Sequence, residues 1–109
     1  MDIVIVAAKR TPMGAFQGAL SALSAPELGA CAIRAALAAA GIDATRVDEV
    51  YLGNVLSAGV GQAPARQAAI KAGLPDSVPC TTINKVCGSG MKAVMLAADG
   101  LRVGEVDVV

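Results

Sequence analysis

The run from Cys87 to about Leu101 is the hardest part of this sequence to house. Met91, Ala93, Val94, Met95, Leu96, Ala97 and Ala98 cover nearly every direction around a helix, and Lys92 is the only charge before Asp99. A helix that is apolar all round is buried all round. Whatever this chain folds into must therefore cover that helix on every side.

The remaining segments set the fold class. Ile3 to Ala8 is a short apolar, β-branched run of the kind that forms a strand buried on both faces. Thr11-Pro12, Gly14 and Gly18 punctuate the loop after it. Ser24-Ala25-Pro26-Glu27 is a capping box, with Ser24 as N-cap, and predicts a helix to about Ala40 that stops at Gly41. Only Glu27 and Arg34 are charged inside it, so most of its surface should be covered. A second strand is expected over Glu49–Leu56, followed by a glycine-rich turn from Ser57 to Gln62. Pro64 opens a short helix ending near Gly73, and Pro75 blocks its continuation. Val78 to Val86 predicts a third strand and Val106 to Val109 a fourth. The order β-α-β-α-β-α-β places the chain in the α/β class, with a parallel sheet and right-handed crossovers.

Composition sharpens the problem of cover. Of the 109 residues, 55% are hydrophobic and 17% charged, against about 25% charged in an ordinary soluble domain. A single domain of this length has too much surface for such a composition. The expectation is either a partner surface or a larger protein of which residues 1–109 are the first part. Nine basic and nine acidic residues cancel, without blocks of like charge, and Phe16 and Tyr51 are the only aromatics. That excludes a nucleic-acid surface with its basic stripe and stacking platform. Cys31, Cys80 and Cys87 form no Cys-x-x-Cys pair and there is no histidine, so no metal site is expected. An odd cysteine count without a secretory pattern points to reduced thiols and a cytoplasmic setting. No stretch is long and apolar enough to predict a membrane span.

Asn84-Lys85-Val86-Cys87-Gly88-Ser89-Gly90-Met91-Lys92-Ala93 carries the chemistry. It puts a cysteine where a strand turns into a helix. Unpaired N–H groups and the positive end of the helix dipole favour thiolate over thiol at such a position. Gly88 and Gly90 leave room for a substrate carbonyl, and nearby N–H groups could face the oxyanion formed on attack. On position alone a cysteine in an apolar chain is also read as a small buried hydrophobe, and Cys31 and Cys80 are read as core packing. Gly88-x-Gly90-x-x-Ala93 fits a second pattern, the dinucleotide-binding fingerprint, with Asp107 about twenty residues on as the ribose acid. Against that reading, Asp107 falls inside the expected fourth strand rather than at a strand end. The fingerprint would also follow the third strand rather than the first.

The ten residues from Asn84 to Ala93 resemble the nucleophile motif of the thiolase family, the acetyl-CoA acetyltransferases. Ile5-Val6-Ala7-Ala8-Lys9-Arg10-Thr11-Pro12-Met13-Gly14 resembles that family's first strand and turn. Gly53-Asn54-Val55-Leu56 and Gly61-Gln62-Ala63-Pro64-Ala65-Arg66-Gln67-Ala68-Ala69 resemble its second strand and second helix. The similarity runs in order along the whole chain.

The resemblance implies a layered αβαβα fold of paired similar halves, with residues 1–109 as part of the N-terminal domain. The helix after Cys87 is sandwiched between the sheets, which supplies its cover. It implies an acyl-CoA C-acyltransferase of fatty-acid metabolism, forming or cleaving 3-oxoacyl-CoA such as acetoacetyl-CoA. Cys87 is the nucleophile that carries the acyl group, and its backbone N–H contributes to an oxyanion hole. The histidine that activates it, the cysteine base and the CoA-binding loop lie in parts of the family's sequence that these residues do not include. The 109 residues by themselves are therefore expected to be inactive. Acyl-CoA and CoA are the implied partners and no separate cofactor is called for. The implied assembly is a homodimer or homotetramer. A 3-oxoacyl synthase of the same superfold shares the cysteine at the helix start, but Asn84-Lys85-Val86-Cys87-Gly88-Ser89-Gly90 has the thiolase wording. Arg10, Arg66 and Lys85 are read as solvent-facing or interface charges rather than phosphate contacts.

Overall fold

A computed structural model describes residues 2–109. The first helix, α1, spans Ala25–Ala40, and its start is built as the sequence predicts. The Ser24 N–H donates to Glu27 Oε2 at 2.7 Å, and the Glu27 N–H donates to Ser24 Oγ at 3.3 Å. The Ser24 N–H, and after it the Ser24 hydroxyl, hold the Glu27 carboxyl below its usual range. Gly41 closes the helix in the left-handed conformation, φ 66°, which a glycine adopts without steric cost. A 3₁₀ turn at Ala44–Arg46 follows, capped by Asp43, whose carboxylate accepts from the Thr45 N–H at 2.9 Å.

Strand β1 is Val50–Gly53 and strand β2 is Cys80–Ile83. They pair in parallel, Val50 opposite Cys80 through Gly53 opposite Ile83. Helix α2, Pro64–Lys71, connects them. No side chain caps α2 from its N-cap position. Instead the Ala65 N–H donates to Thr82 Oγ1 at 3.0 Å, tying the helix start to β2. Helix α3 spans Ser89–Val103 and ends at Gly104, φ 77°. Leu52 of β1 lies toward Gly29 of α1, while the next residue, Gly53, abuts Ser89 and Gly90 of α3. Successive strand residues point to opposite faces, so α1 and α3 flank the sheet on opposite sides.

The core is made of small residues: Ala30, Val47, Val50, Ala69, Ala72, Leu74 and Val78. Alternating elements and a parallel pair agree with the α/β reading, with two differences at the ends. Ile3–Ala8 forms no strand, and Val4, Ile5 and Val6 are 66%, 78% and 61% exposed. Val106–Val109 forms none either. Its attachment is local: the Asp48 N–H donates to the Val108 carbonyl at 2.8 Å, and the Asp48 carboxylate accepts from the N–H groups of Asp107 and Val108 at 2.8 and 3.0 Å. A strand exists only through a ladder to a neighbour, and neither segment makes one. Both nevertheless border an apolar cavity of about 430 Å³ beside β1, lined among others by Val6, Ala7, Leu37, Tyr51, Ala97 and Val109.

The helices are less covered than their composition demands. In α3 only Ser89 and Ala93 are buried, whereas Met91, Val94 and Met95 are exposed. In α1 only Pro26 and Ala30 are buried. The 109 residues supply one side of the cover that α3 calls for.

Candidate active site

Cys87 lies just outside α3. Gly88 is the N-cap and Ser89 the first helical residue, so the helix begins later than the expected start at Cys87. The difference follows from the backbone ahead of it: Val86 has φ 47°. A β-branched residue in the left-handed region is a true outlier and costs about 1–3 kcal/mol. The chain therefore makes a sharp elbow at Val86, and regular helix starts only after that bend.

Hydrogen bonds hold the elbow on both sides. The Val86 N–H donates to Asn84 Oδ1 at 3.0 Å, and Asn84 Nδ2 donates to the Val55 carbonyl at 3.4 Å. Ser89 Oγ accepts from the Lys85 N–H at 2.8 Å and donates to the Val86 carbonyl at 2.6 Å. The backbone N–H groups of Gly88 and Ser89 donate to the carbonyls of Lys85 and Val86 at 3.0 and 3.2 Å. Those two donors are thus turned back into the elbow and do not serve an oxyanion. The Cys87 N–H is the donor beside the sulfur that is not turned back in this way.

The thiol is accessible: Cys87 is exposed, as are Asn84, Lys85 and Gly90. A Cβ built on Gly90 would meet nothing within 4 Å, and Gly90 lines the apolar cavity beside β1. Gly53 does the opposite work. A Cβ there would lie 2.8 Å from Gly90 N and from the carbonyl carbon and Cβ of Ser89. Only glycine at the end of β1 lets the start of α3 come this close.

Other residues fall differently from expectation. Cys31 is exposed rather than part of the core, and it borders a second cavity of about 460 Å³. Cys80 is half-buried, as a packing residue should be. Arg66 is not a free charge, because its guanidinium donates to the Val78 carbonyl at 3.1 Å. Arg10 and Lys85 are exposed. Asp107 lies in a segment without strand pairing, so the dinucleotide reading lacks the strand end that its acid requires. Among the described residues no histidine, cysteine or carboxylate cluster could hold a metal, and no helix is long and apolar enough to cross a membrane. The sequence places Val86 and Ser89 inside the motif and Gly53 inside the resemblance, but it assigns none of them a part in holding Cys87; that part shows only in the φ of Val86, the bonds of Ser89 and the close approach at Gly53.

Comparison with known proteins bears on the same residues. The family model for the thiolase N-terminal domain matches residues 3–109. An acetyl-CoA acetyltransferase of Pseudomonas aeruginosa is 61% identical over 108 residues, covering 99% of this chain and 28% of that protein. The mitochondrial acetyl-CoA acetyltransferase of Homo sapiens is 58% identical over 107 residues, covering 98% of this chain and 25% of that protein. The crystal structure of the Acat5 thiolase from Ascaris suum in complex with coenzyme A superposes with a TM-score of 0.89 at 40% identity, over 94% of this chain and 27% of that one. The chain spans about a quarter of the length of these relatives. An exposed cysteine on a hydrogen-bonded elbow, in a sequence similar to thiolases from end to end, identifies the chain as a member of the thiolase family, matching its N-terminal domain.

Proposed function

We propose that these residues supply the nucleophile of an acyl-CoA C-acyltransferase acting on acetyl-CoA. The observation that carries this reading is the exposed Cys87 at the entry to α3, in a chain 61% identical over 108 residues to an acetyl-CoA acetyltransferase.

Cys87 Sγ attacks the carbonyl carbon of acetyl-CoA. The bond from that carbon to the CoA sulfur breaks, CoA leaves as a thiolate and takes up a proton, and the acetyl group stays on Cys87. A second acetyl-CoA then loses an α-proton to a base outside these residues. Its carbanion attacks the acetyl carbon on Cys87, the bond to Sγ breaks, and acetoacetyl-CoA leaves with the thiolate restored. The reverse sequence cleaves 3-oxoacyl-CoA. Dividing the reaction through a covalent intermediate replaces one difficult step with two easier ones. A thioester intermediate keeps the acyl carbon electrophilic and exchanges with CoA at little cost. The Cys87 N–H would stabilise the oxyanion.

No separate cofactor is needed, since the CoA thioesters are themselves the substrates. With no histidine in the sequence, the group that activates Cys87 must come from elsewhere in the enzyme. The 109 residues carry the nucleophile without that group and should not turn over alone. Their exposed apolar α3 face and open sheet edge should also make them poorly soluble. The complete enzyme is a homodimer or homotetramer, and a cytoplasmic one. Acyl-chain preference and direction of flux are set by residues beyond this site.

Intact-mass spectrometry of the complete enzyme with acetyl-CoA alone tests the reading. An acetyl adduct should form and be absent from Cys87→Ala. Cys87→Ser should lose condensation by on the order of a thousandfold or more. Its hydroxyl is a far weaker nucleophile, and an oxygen ester is a poorer acyl donor. A wild type that stays unmodified, or a serine variant of near-normal rate, would overturn the reading.

A further inference from the structure

Ser89 is the buried polar side chain of this structure, 4% exposed, among described residues whose core is otherwise alanine, valine and leucine. Its hydroxyl is fully used, with one bond accepted from the Lys85 N–H and one donated to the Val86 carbonyl. Those partners bracket the residue with positive φ. Val86 itself is 65% exposed, so packing does not hold it in the left-handed region. What holds it is polar: Asn84 Oδ1 on its N–H, and the hydroxyl and N–H of Ser89 on its carbonyl. The conformation of Val86 sets the direction in which the chain passes into the next residue, Cys87, and on into α3. Gly53 fixes the other end of the clamp, because its missing side chain lets Ser89 sit directly against β1.

We propose that Ser89 is a positioning residue for Cys87: its hydroxyl locks Val86 in the left-handed conformation and thereby aims the nucleophile. The proposal rests on the reading of Cys87 as the acylated residue. Ser89 touches no substrate. It acts through the backbone of the elbow, so its loss should lower the rate of acyl transfer and leave substrate binding alone.

The test uses the complete enzyme. Ser89→Ala, checked for folding by circular dichroism and thermal unfolding, should lower kcat and the rate of Cys87 acetylation by about ten- to hundredfold. KM for acetyl-CoA should stay within about twofold, the pattern of a lost transition-state interaction. Val86→Gly in the Ser89→Ala background should recover part of the rate, because glycine takes positive φ without being held there. If Ser89→Ala does not fold, Ser89→Thr decides: the retained hydroxyl should keep kcat within about threefold of wild type, the limit expected when an interaction is preserved. A folded Ser89→Ala acetylated at the wild-type rate overturns the proposal, as does a Val86→Gly change that recovers nothing or a threonine variant that is inactive. In wild type, absence of any acetyl adduct on Cys87 overturns the underlying reading instead, so the two failures are told apart.

Discussion

The elbow at residues 84–89 and the N-terminal run at 3–8 are both bordered by β1, yet they are held in opposite ways. The elbow contains a backbone conformation that should be unstable, and a set of short-range bonds holds it: Asn84 on Val86, Ser89 on Lys85 and Val86, and Gly88 back to Lys85. The N-terminal run contains residues that favour strands, and its Val4, Ile5 and Val6 lie largely exposed. Propensity points the wrong way in both places. Bonds closed within a few residues can impose an unfavourable conformation, whereas β-branched residues cannot make a strand until a neighbour offers a ladder.

The contrast can be broken most sharply at Gly53. Gly53→Ala would press a methyl group to 2.8 Å from the backbone of Ser89 and Gly90, and backbone cannot swing aside as a side chain can. We expect a loss of about 1–3 kcal/mol by chemical denaturation, together with slower alkylation of Cys87. A neutral alanine variant would mean that the elbow tolerates displacement.

A smaller effect is expected at the other loosely held end, where Asp48 pins residues 107 and 108. Its carboxyl is held below the usual range by the bonds from the Asp107 and Val108 N–H groups. The folded state therefore favours the carboxylate more than the unfolded chain does. That contribution is fully present above about pH 4 and disappears as pH falls through the lowered folded value. Protection of the Asp107 and Val108 amides, taken relative to the intrinsic exchange rate at each pH, should fall over that acid range, and in Asp48→Asn it should no longer change with pH. Protection that is unaffected by acid in the wild type would contradict the assignment.

The smallest change belongs to the N-terminal run. In the 109-residue chain, Ile5→Ser should raise the soluble yield and leave the unfolding free energy of the soluble fraction within about 0.5 kcal/mol. Ile5 is 78% exposed and has little packing to lose. A cost above about 1 kcal/mol would show a buried isoleucine and erase the contrast with the elbow.

Features written in adjacent residues were legible. Ser24 with Glu27, Gly41 and Pro64 announced helix ends through chemistry that operates within one turn. The cysteine at a strand-to-helix junction was visible for the same reason, to within the N-cap. The 3₁₀ turn was missed although Asp43 and Thr45 carry a local signal for it. What the sequence hid was either long-range or contrary to propensity. Gly53 matters because of residues far along the chain, and no local rule puts valine at positive φ. The outer segments form no strands because an apolar, β-branched run records what a segment could bury, not whether a partner is beside it.

The alanine-built seam between α1 and α2 has a mechanical consequence. A Cβ on Gly29 would lie 3.2 Å from Cβ of Ala68, so these helices meet almost backbone to backbone. Methyl groups have no rotamers with which to absorb a shift. Helix α2 is in turn fastened to β2 by the Ala65–Thr82 bond, and β2 runs directly toward Asn84. A sideways load on α1 therefore has no soft joint in which to dissipate before it reaches the strand that leads to the elbow. The nucleophile is mounted at the end of a stiff lever rather than on a hinge.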